Sequence, residues 1–297
     1  MKSEFPEYAC PYAQRLAAVS GRFARQVYDR CTKVRPSGPP AGQEAYSPDP
    51  FGELTHASKC WGLKQRFPDR VLIMTADTCF MNCRHCTRRG LLGRAQVVKT
   101  DAQLAACVDY VKAHPKVRDV LLSGGDVLTL PDAKVMAFAD AFAALPQVEL
   151  VRVCTRAVCT NPGRITAKLA KALGRSKKVW VNTQFNCADE LTDEARRAAA
   201  LLVDAGIPVS CQTVLLKGVN DSAAEMLKLL RALSSARIRP YYVFQCDPVA
   251  GIDHFRVPLD KARAIERACA ERIGGLALPR FVADLPGARR KTPLAEL

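Results

Sequence analysis

The stretch "RVLIMTADTCFMNCRHCTRRG", residues 70–90, decides the fold of this chain. Residues 70–77 form a short, apolar, β-branched run, which predicts a buried strand. The loop after this strand carries Cys79, Cys83 and Cys86 in the spacing C-x3-C-x2-C, with no fourth cysteine nearby. Three thiolates suit zinc or an iron–sulfur cluster, but a structural zinc site needs four ligands. A cluster held by three cysteines leaves one iron open to a substrate or cofactor, and we therefore predict such a cluster here.

Strands and helices alternate along the rest of the chain. Apolar, strand-like runs end in "VLLSGGD", "LVRVCTR", "VNTQFN", "CQTVLL", "YVFQCD" and "RFVADLP", and the helices predicted between them include 164–174, 192–205, 221–234 and 259–273. This alternation predicts a parallel sheet covered by helices. Six such units in succession favour an α/β fold of the partial (β/α)6, TIM-like barrel type over an open doubly wound sheet. We assign the barrel to residues 51–297 and a proline- and glycine-rich arm or linker to residues 1–50.

Composition and charge exclude several classes of protein. The opening "MKSEFPEYAC" lacks the apolar run of a signal peptide, and the longest apolar runs are too short to span a bilayer. The thirteen cysteines are odd in number and scattered, which is unlike a disulfide framework and fits a cytoplasmic protein. The net charge of +15 is spread over helices and loops with no aromatic-interleaved patch. We therefore expect sites for anionic cofactors, and no nucleic-acid or membrane partner.

Polar and acidic residues follow several of the predicted strands. The carboxyl ends of parallel strands meet at one face of a barrel, where such folds build their chemistry. Besides the cysteines, this face would carry Ser123, Gly124, Gly125, Asp126, residues 182–186, Asp247 and Asp284. Taken singly, a turn explains paired glycines and a loop cap explains an aspartate. Their concentration at one face favours a binding site.

Several longer motifs resemble one known family. The cysteine loop resembles that of the radical S-adenosylmethionine superfamily, and residues 123–126 resemble its glycine-rich strand end. "FPDRVLIMTADTCFMNCRHCTRRG", "VRDVLLSGGDVL", "AGIPVSCQTVLLKGVND", "RPYYVFQCD", "GIDHFRVP" and "DLPGARRKTP" together resemble the lysine 2,3-aminomutase family, in order, from about residue 50 to the last residue. The resemblance implies a radical S-adenosylmethionine barrel and an isomerase that moves an amino group between the α and β carbons, interconverting L-lysine and L-β-lysine.

The same resemblance implies cofactors, partners and a role for each matched residue. The cofactors are a [4Fe–4S] cluster, S-adenosyl-L-methionine and pyridoxal 5′-phosphate, and the partners are a small amino acid and an electron donor of the flavodoxin or ferredoxin kind. The cluster would be held by Cys79, Cys83 and Cys86, and S-adenosylmethionine by Ser123, Gly124, Gly125 and Asp126. Pyridoxal phosphate would bond to the catalytic Lys291, with its phosphate on Arg66 and Arg70. The substrate would have its carboxylate on Arg88 and its ε-ammonium on Asp247 and Asp284.

The chain departs from the family's pattern at three places. Phe67 stands where the family has a tyrosine between the two phosphate-binding arginines, so a hydroxyl contact is lost. Arg289 and Arg290 fall in the family's glycine run, and adjacent cations are expected to lower the pKa of Lys291. Ser222 stands where longer members, which also have a long tail, carry a zinc-binding cysteine. We therefore expect a monomer or homodimer rather than a zinc-stapled tetramer.

Other functions compete with this interpretation. Two acids could clamp the guanidinium of arginine as well as an ammonium, which predicts an arginine 2,3-aminomutase as the alternative. A relative that modifies a lysine of elongation factor P is also short, but its cysteine loop and final segment differ from "CRHCTRR" and "FVADLPG". A different radical enzyme on the same barrel would not need pyridoxal phosphate, and a zinc-binding nucleic-acid module is favoured only by the charge.

Overall fold

The computed structural model describes residues 5–29, 49, 51–53, 60–90 and 97–297. Within them, nine strands form one sheet whose spatial order is the sequence order. The strands are β1 (Leu63–Phe67), β2 (Arg70–Ala76), β3 (Asp119–Gly124), β4 (Leu150–Cys154), β5 (Val179–Thr183), β6 (Val209–Leu215), β7 (Arg239–Gln245), β8 (Arg280–Ala283) and β9 (Thr292–Pro293). The α-helices are α1 (Pro11–Val19), α2 (Gly21–Tyr28), α3 (Asp101–Ala113), α4 (Asp132–Ala143), α5 (Ala157–Thr160), α6 (Ala167–Leu173), α7 (Asp193–Asp204), α8 (Ala223–Ser235) and α9 (Leu259–Ala270).

Strands β2 to β8 are parallel, and β1 and β9 pair antiparallel to them at the two edges of the sheet. At least one α-helix follows each strand from β2 to β7, which gives six strand–helix units and a closing strand. The predicted α/β class and partial (β/α)6 barrel are therefore confirmed. The sequence did not predict β1 and β9, because the polar "LKQRF" and the two-residue "TP" lack the apolar pattern of a central strand.

Local sequence signals start several of the helices. Thr100, Thr192 and Ser222 are the N-caps of α3, α7 and α8, and each side-chain oxygen accepts a hydrogen bond from a backbone N–H in the first turn. Helices α4 and α9 begin directly after Pro131 and Pro258. Ser222 thus has a structural role here, as the N-cap of α8.

The main core lies between the sheet and its covering helices. Ile73, Leu122 and Val153 on successive strands are fully buried, as are Phe142 of α4 and Leu202 of α7. Burying a side chain of this size contributes about 1.5–3 kcal/mol. This core fixes the strands, so the residues that follow them have a rigid base.

The two edge strands border an open side of the barrel. β1 and β9 are the ends of the sheet among the described residues. Arg66 of β1 reaches across to the end of β8, where its Nη1 donates to Asp284 Oδ1 at 2.7 Å and its Nη2 donates to the Leu285 carbonyl at 2.5 Å. Side chains rather than strand pairing therefore bridge the open side.

The N-terminal residues 5–29, which we call the arm, cover the cysteine loop. Ala9 forms a β-bridge with Met81, and the backbone N–H of Cys10 donates to Phe80 at 2.8 Å. Most of the proline- and glycine-rich stretch that predicted a linker lies outside the described residues, and the domain boundary at residue 50 stays a prediction. No helix in the described part of the chain is long and apolar enough to cross a membrane.

Candidate active site

The structure places the three predicted cluster cysteines in the loop after β2, partly buried and reduced. Burial raises the pKa of the Cys86 thiol to about 12, and the neighbouring Cys83 adds to this. Burial and the other two thiols raise the pKa of Cys79 further. Thiolates in one buried loop repel one another, so all three ionise readily only when a metal compensates their charge. Burial raises the pKa of Cys211 to about 12 as well, so it is the spacing of Cys79, Cys83 and Cys86 in one loop, rather than their pKa, that favours a metal site.

The number of cysteines in the loop fits a cluster better than a structural zinc ion, which needs four ligands. Among the described residues, no three His, Cys, Asp or Glu side chains are grouped so that they could hold one metal ion. A cluster bound through three different irons does not require its cysteines to meet at one point. His85 lies between Cys83 and Cys86 in the sequence. Its side chain is buried, and its Nδ1 has no hydrogen-bond partner in the described chain. That unpaired atom fits a site completed by a group other than this chain's side chains.

The predicted glycines join β3 to the start of the cysteine loop. Gly124 has a φ of +105°, and a Cβ there would lie 2.5 Å from the carbonyl oxygen of Ala76. A Cβ on Gly125 would lie 2.3 Å from the carbonyl oxygen of Thr78. The backbone N–H of Gly125 donates to Ala76 at 2.6 Å. Only glycine allows this approach, so the glycines fix the loop, and their predicted contact with S-adenosylmethionine stays a prediction.

Asp126 has a structural role in addition to the cofactor contact that the resemblance implied. Its carboxylate is buried, and Oδ1 accepts hydrogen bonds from the Thr155 hydroxyl at 2.6 Å and the Leu128 N–H at 3.0 Å. Oδ2 accepts from the backbone N–H of Arg156 at 2.8 Å. Because both oxygens are bonded within the fold, Asp126 holds the ends of β3 and β4 together, and its predicted contact with S-adenosylmethionine stays a prediction.

Arg156, which sequence reasoning missed, lies beside the cysteine loop. Its Nη1 donates to Cys83 Sγ at 2.9 Å, and its Nη2 donates to Gln26 of the arm at 2.5 Å and to Glu190 at 3.1 Å. Burial opposes the charge, but Cys83 and Glu190 hold the pKa of Arg156 well above its usual value. Its sequence position could have identified it, because Arg156 follows the end of β4 at the face where the other site residues lie.

Residues 182–186, predicted to lie at this face, supply part of the same buried network. Gln184 Nε2 and Asn186 Nδ2 lie 3.1 and 3.2 Å from His85 Nε2. Burial, with the Arg156 charge, holds the pKa of His85 well below its usual value, so the imidazole is neutral. The neutral ring accepts at Nε2 and directs an N–H from Nδ1.

The structure brings three predicted residues together at the open side of the barrel. Asp284 Oδ1 accepts from Arg66 at 2.7 Å, and Lys291 Nζ contacts Asp284 Oδ2. Burial lowers the pKa of Lys291, against the opposing effect of Asp284 and Asp247. The cation that contributes most to this lowering is Arg66. The sequence predicted that Arg289 and Arg290 would be the cations that lower the pKa of Lys291. That assignment was wrong, because the cation that contributes most is Arg66.

Phe67 and the cations around it form a second part of this region. The Phe67 ring centroid lies 5.2 Å from the Arg66 guanidinium, 4.9 Å from that of Arg70 and 5.5 Å from Lys291 Nζ. Arg70 itself is paired with the adjacent Asp69 through two hydrogen bonds of 2.9 and 3.1 Å. An open cleft here is lined by Phe67, Arg70, Tyr242, Arg280, Arg289, Arg290 and Lys291. Five cations around one cleft suit a phosphate group next to Lys291.

Arg88, the predicted carboxylate-binding residue, is paired with Glu53. Two hydrogen bonds of 2.6 and 2.7 Å join the guanidinium and the carboxylate. Burial raises the pKa of Glu53, but the Arg88 charge and hydrogen bonds outweigh it and keep that pKa below its usual value. Glu53 was not predicted from the sequence, because it lies in a loop with no strand before it.

Asp247, the remaining predicted residue, follows β7 and is half-buried. Its charge raises the pKa of Lys291, as that of Asp284 does. The charges of both carboxylates therefore act on the same amino group, and Asp284 also contacts it. This is the arrangement expected of a pocket for an ammonium ion.

Comparison with known proteins assigns the family. The Radical SAM superfamily profile matches residues 73–230. The "L-lysine 2,3-aminomutase" of Acetoanaerobium sticklandii is 45% identical over 233 residues, 78% of this chain and 56% of that protein. The "Putative L-lysine 2,3-aminomutase" of Treponema pallidum is 35% identical over 98% of this chain and 80% of its own length. This chain belongs to the lysine 2,3-aminomutase family.

Solved structures support the fold. SuiB of Streptococcus suis with bound S-adenosylmethionine matches with a TM-score of 0.55 over 73% of this chain and 51% of that chain, at 16% identity. Membership of the family implies a [4Fe–4S] cluster, S-adenosylmethionine and pyridoxal phosphate, and the sites described above fit all three. The chain spans little more than half the length of the A. sticklandii aminomutase.

Proposed function

We propose that this protein is a radical S-adenosylmethionine, pyridoxal-phosphate-dependent 2,3-aminomutase that interconverts L-lysine and L-β-lysine. The observation that carries the proposal is the ion pair of Asp284 with Lys291 at the open side of the barrel, where the charge of Asp247 acts on the same amino group. A pocket with two carboxylates demands a cation, since a buried unpaired charge costs several kcal/mol.

The chain's own residues would bind and orient the reacting groups. When bound, the cluster and S-adenosylmethionine supply a carbon radical that removes a hydrogen atom, and pyridoxal phosphate supplies a ring that delocalises the unpaired spin. Cys79, Cys83 and Cys86 hold the cluster, and the backbone at Gly124 and Gly125 sets the loop beside it.

Lys291 would move from one partner to another. Its lowered pKa favours the neutral amine, which is the form that bonds to pyridoxal phosphate. Once Lys291 withdraws its amino group from Asp284, that carboxylate becomes available to the ε-ammonium of a substrate. Arg88 would take the α-carboxylate of the same substrate, because a guanidinium holds a carboxylate through two parallel bonds.

The charges of this pocket favour lysine over an acidic amino acid. Two carboxylates would repel the side chain of glutamate, whereas they would attract an ammonium or a guanidinium. Arginine is therefore the alternative substrate, and protein-bound lysine is a weaker one, because Arg88 would then lack a free α-carboxylate to bind.

Anaerobic reconstitution tests the proposal. The protein is loaded with iron, sulfide and pyridoxal phosphate, reduced, and incubated with S-adenosylmethionine and one amino acid at a time. We expect a brown protein that converts L-lysine into L-β-lysine, detected by chromatography. A colourless zinc protein, or a brown protein that fails to isomerise lysine while acting on glutamate or alanine, would contradict it.

The cofactor chemistry also suggests the cellular compartment and the electron donor. We propose that the enzyme works in the cytoplasm, where a reducing environment keeps the cluster and the scattered thiols intact. A flavodoxin or ferredoxin would supply the electron, and its acidic surface would complement the net charge of +15.

A further inference from the structure

Glu53 contacts the predicted substrate-binding arginine at one particular edge. The Glu53 carboxylate accepts from Arg88 Nε at 2.6 Å and from Arg88 Nη2 at 2.7 Å. The two side chains are 14% and 24% exposed. Glu53 lies 35 residues before Arg88, in the short described segment 51–53 ahead of β1.

A guanidinium can bind carboxylates at two edges. The side-on edge consists of Nε and Nη2, and the end-on edge consists of Nη1 and Nη2, so two carboxylates can be held at once. Glu53 occupies only the side-on edge. Arg88 Nη1 lies 3.4 Å from the hydroxyl of Ser123, next to the end of β3. The end-on edge therefore faces the carboxyl ends of the strands, where the site residues gather.

Glu53 is held in this position by other contacts. Its backbone N–H donates to Asp49 Oδ1 at 2.8 Å, and Lys64 and Arg66 add positive charge near its carboxylate. Separating a buried carboxylate from its arginine is strongly disfavoured. Glu53 is thus suited to remain on Arg88 while a ligand arrives, rather than to leave.

We propose that Glu53 is the positioning residue for the substrate carboxylate: it holds the side-on edge of Arg88 and presents the end-on edge to the ligand. This rests on the proposed function, which assigns the α-carboxylate to Arg88. Glu53 makes no bond to the substrate and acts through the arginine alone. The consequence is a preference for ligands that carry a free carboxylate.

Calorimetric titration in the absence of S-adenosylmethionine tests this without turnover. The enzyme carries its cluster and pyridoxal phosphate, and the ligands are L-lysine and L-lysinamide, which lacks the carboxylate charge. In Glu53→Ala, we expect lysine binding to weaken by about tenfold or more and lysinamide binding to stay unchanged. Asp204→Ala is the control, because it removes an acid from the exposed pair with Arg237 (2.8 Å) and should change neither ligand.

The other outcomes separate the explanations. Tighter lysine binding by Glu53→Ala would show that Glu53 competes with the substrate, and would overturn the proposal. Equal losses for both ligands, or no loss, would reduce the pair to a structural contact and also overturn it. Glu53→Gln, with an intermediate loss for lysine only, serves if the alanine variant does not fold. A wild-type enzyme that does not bind lysine would instead overturn the proposed function itself, and this inference with it.

Discussion

The cysteine loop and the open side of the barrel are held by different kinds of interaction. The loop is fixed by backbone contacts at Gly125 and by the buried carboxylate of Asp126. At the open side, Lys291, Asp284 and Arg66 are joined by ion pairs whose side chains are 12–27% exposed. Backbone contacts have one arrangement, whereas partly exposed ion pairs can exchange partners. We therefore expect the cysteine loop to keep its arrangement, and the ion pairs at the open side to exchange partners, when ligands bind.

The largest expected effect is the complete loss of iron from the cysteine loop, with no change in the pyridoxal bound at the open side. Replacing Cys79, Cys83 or Cys86 by alanine should abolish iron binding while leaving covalent pyridoxal at Lys291. Alanine at Cys107 or Cys154 should leave the iron content unchanged. Iron analysis and absorbance of the purified variants measure both. Equal iron loss in all five variants would show that the ligands are wrong, and loss of pyridoxal would show that the regions are not independent.

The converse substitution should remove the other cofactor. Lys291→Ala should eliminate the covalent pyridoxal absorbance but leave iron binding and S-adenosylmethionine cleavage, because no contact of Lys291 reaches the cysteine loop in the described residues. Borohydride reduction followed by peptide mapping locates the label in the wild-type protein. A label on Lys217 would mean that the C-terminal match is out of register.

The resemblance located most of these residues, and physical reasons explain what it missed. The apolar strands and the residues after them were predictable, because strand ends in a parallel barrel share one face. Glu53 and Arg156 were not, since each depends on a partner that only tertiary packing supplies. The arm helices α1 and α2 were also missed, because the nearby prolines and glycines dominated the pattern. The structural role of Asp126 was also missed, because its sequence position cannot show that both oxygens are bonded within the fold.

A smaller effect concerns the rigidity of the cysteine loop. Gly125→Ala places a Cβ against the Thr78 backbone, which we expect to destabilise the apo-protein by about 1–3 kcal/mol and to reduce iron occupancy. Gly163→Ala is the matched control, because nothing lies within 4 Å of its Cβ position. Urea unfolding and iron analysis compare them. Equal behaviour of the two variants would argue that the loop is as adjustable as the open side.

The smallest effect is a shift with pH. The Asp284 charge raises the pKa of Lys291. Asp284→Asn should therefore lower the pKa of Lys291 further, so that a larger fraction of Lys291 is neutral at a given pH. Covalent capture of pyridoxal phosphate should then begin at lower pH than in the wild-type protein. Absorbance titration from pH 6 to pH 10 measures the midpoint. A midpoint that moves to higher pH would mean that Asp284 does not act on Lys291.

The central claim is that Asp247 and Asp284 select a cationic side chain, and a competition assay tests it most directly. Lysine, arginine, glutamate and alanine are mixed at equal concentration with the reconstituted wild-type or Asp284→Asn enzyme, and the β-amino products are identified by mass spectrometry. We expect the wild-type enzyme to form β-lysine almost alone, and Asp284→Asn to lose roughly 100-fold or more of its kcat/KM for lysine while retaining cluster and pyridoxal. Comparable amounts of β-glutamate or β-alanine from the wild-type enzyme would contradict the account.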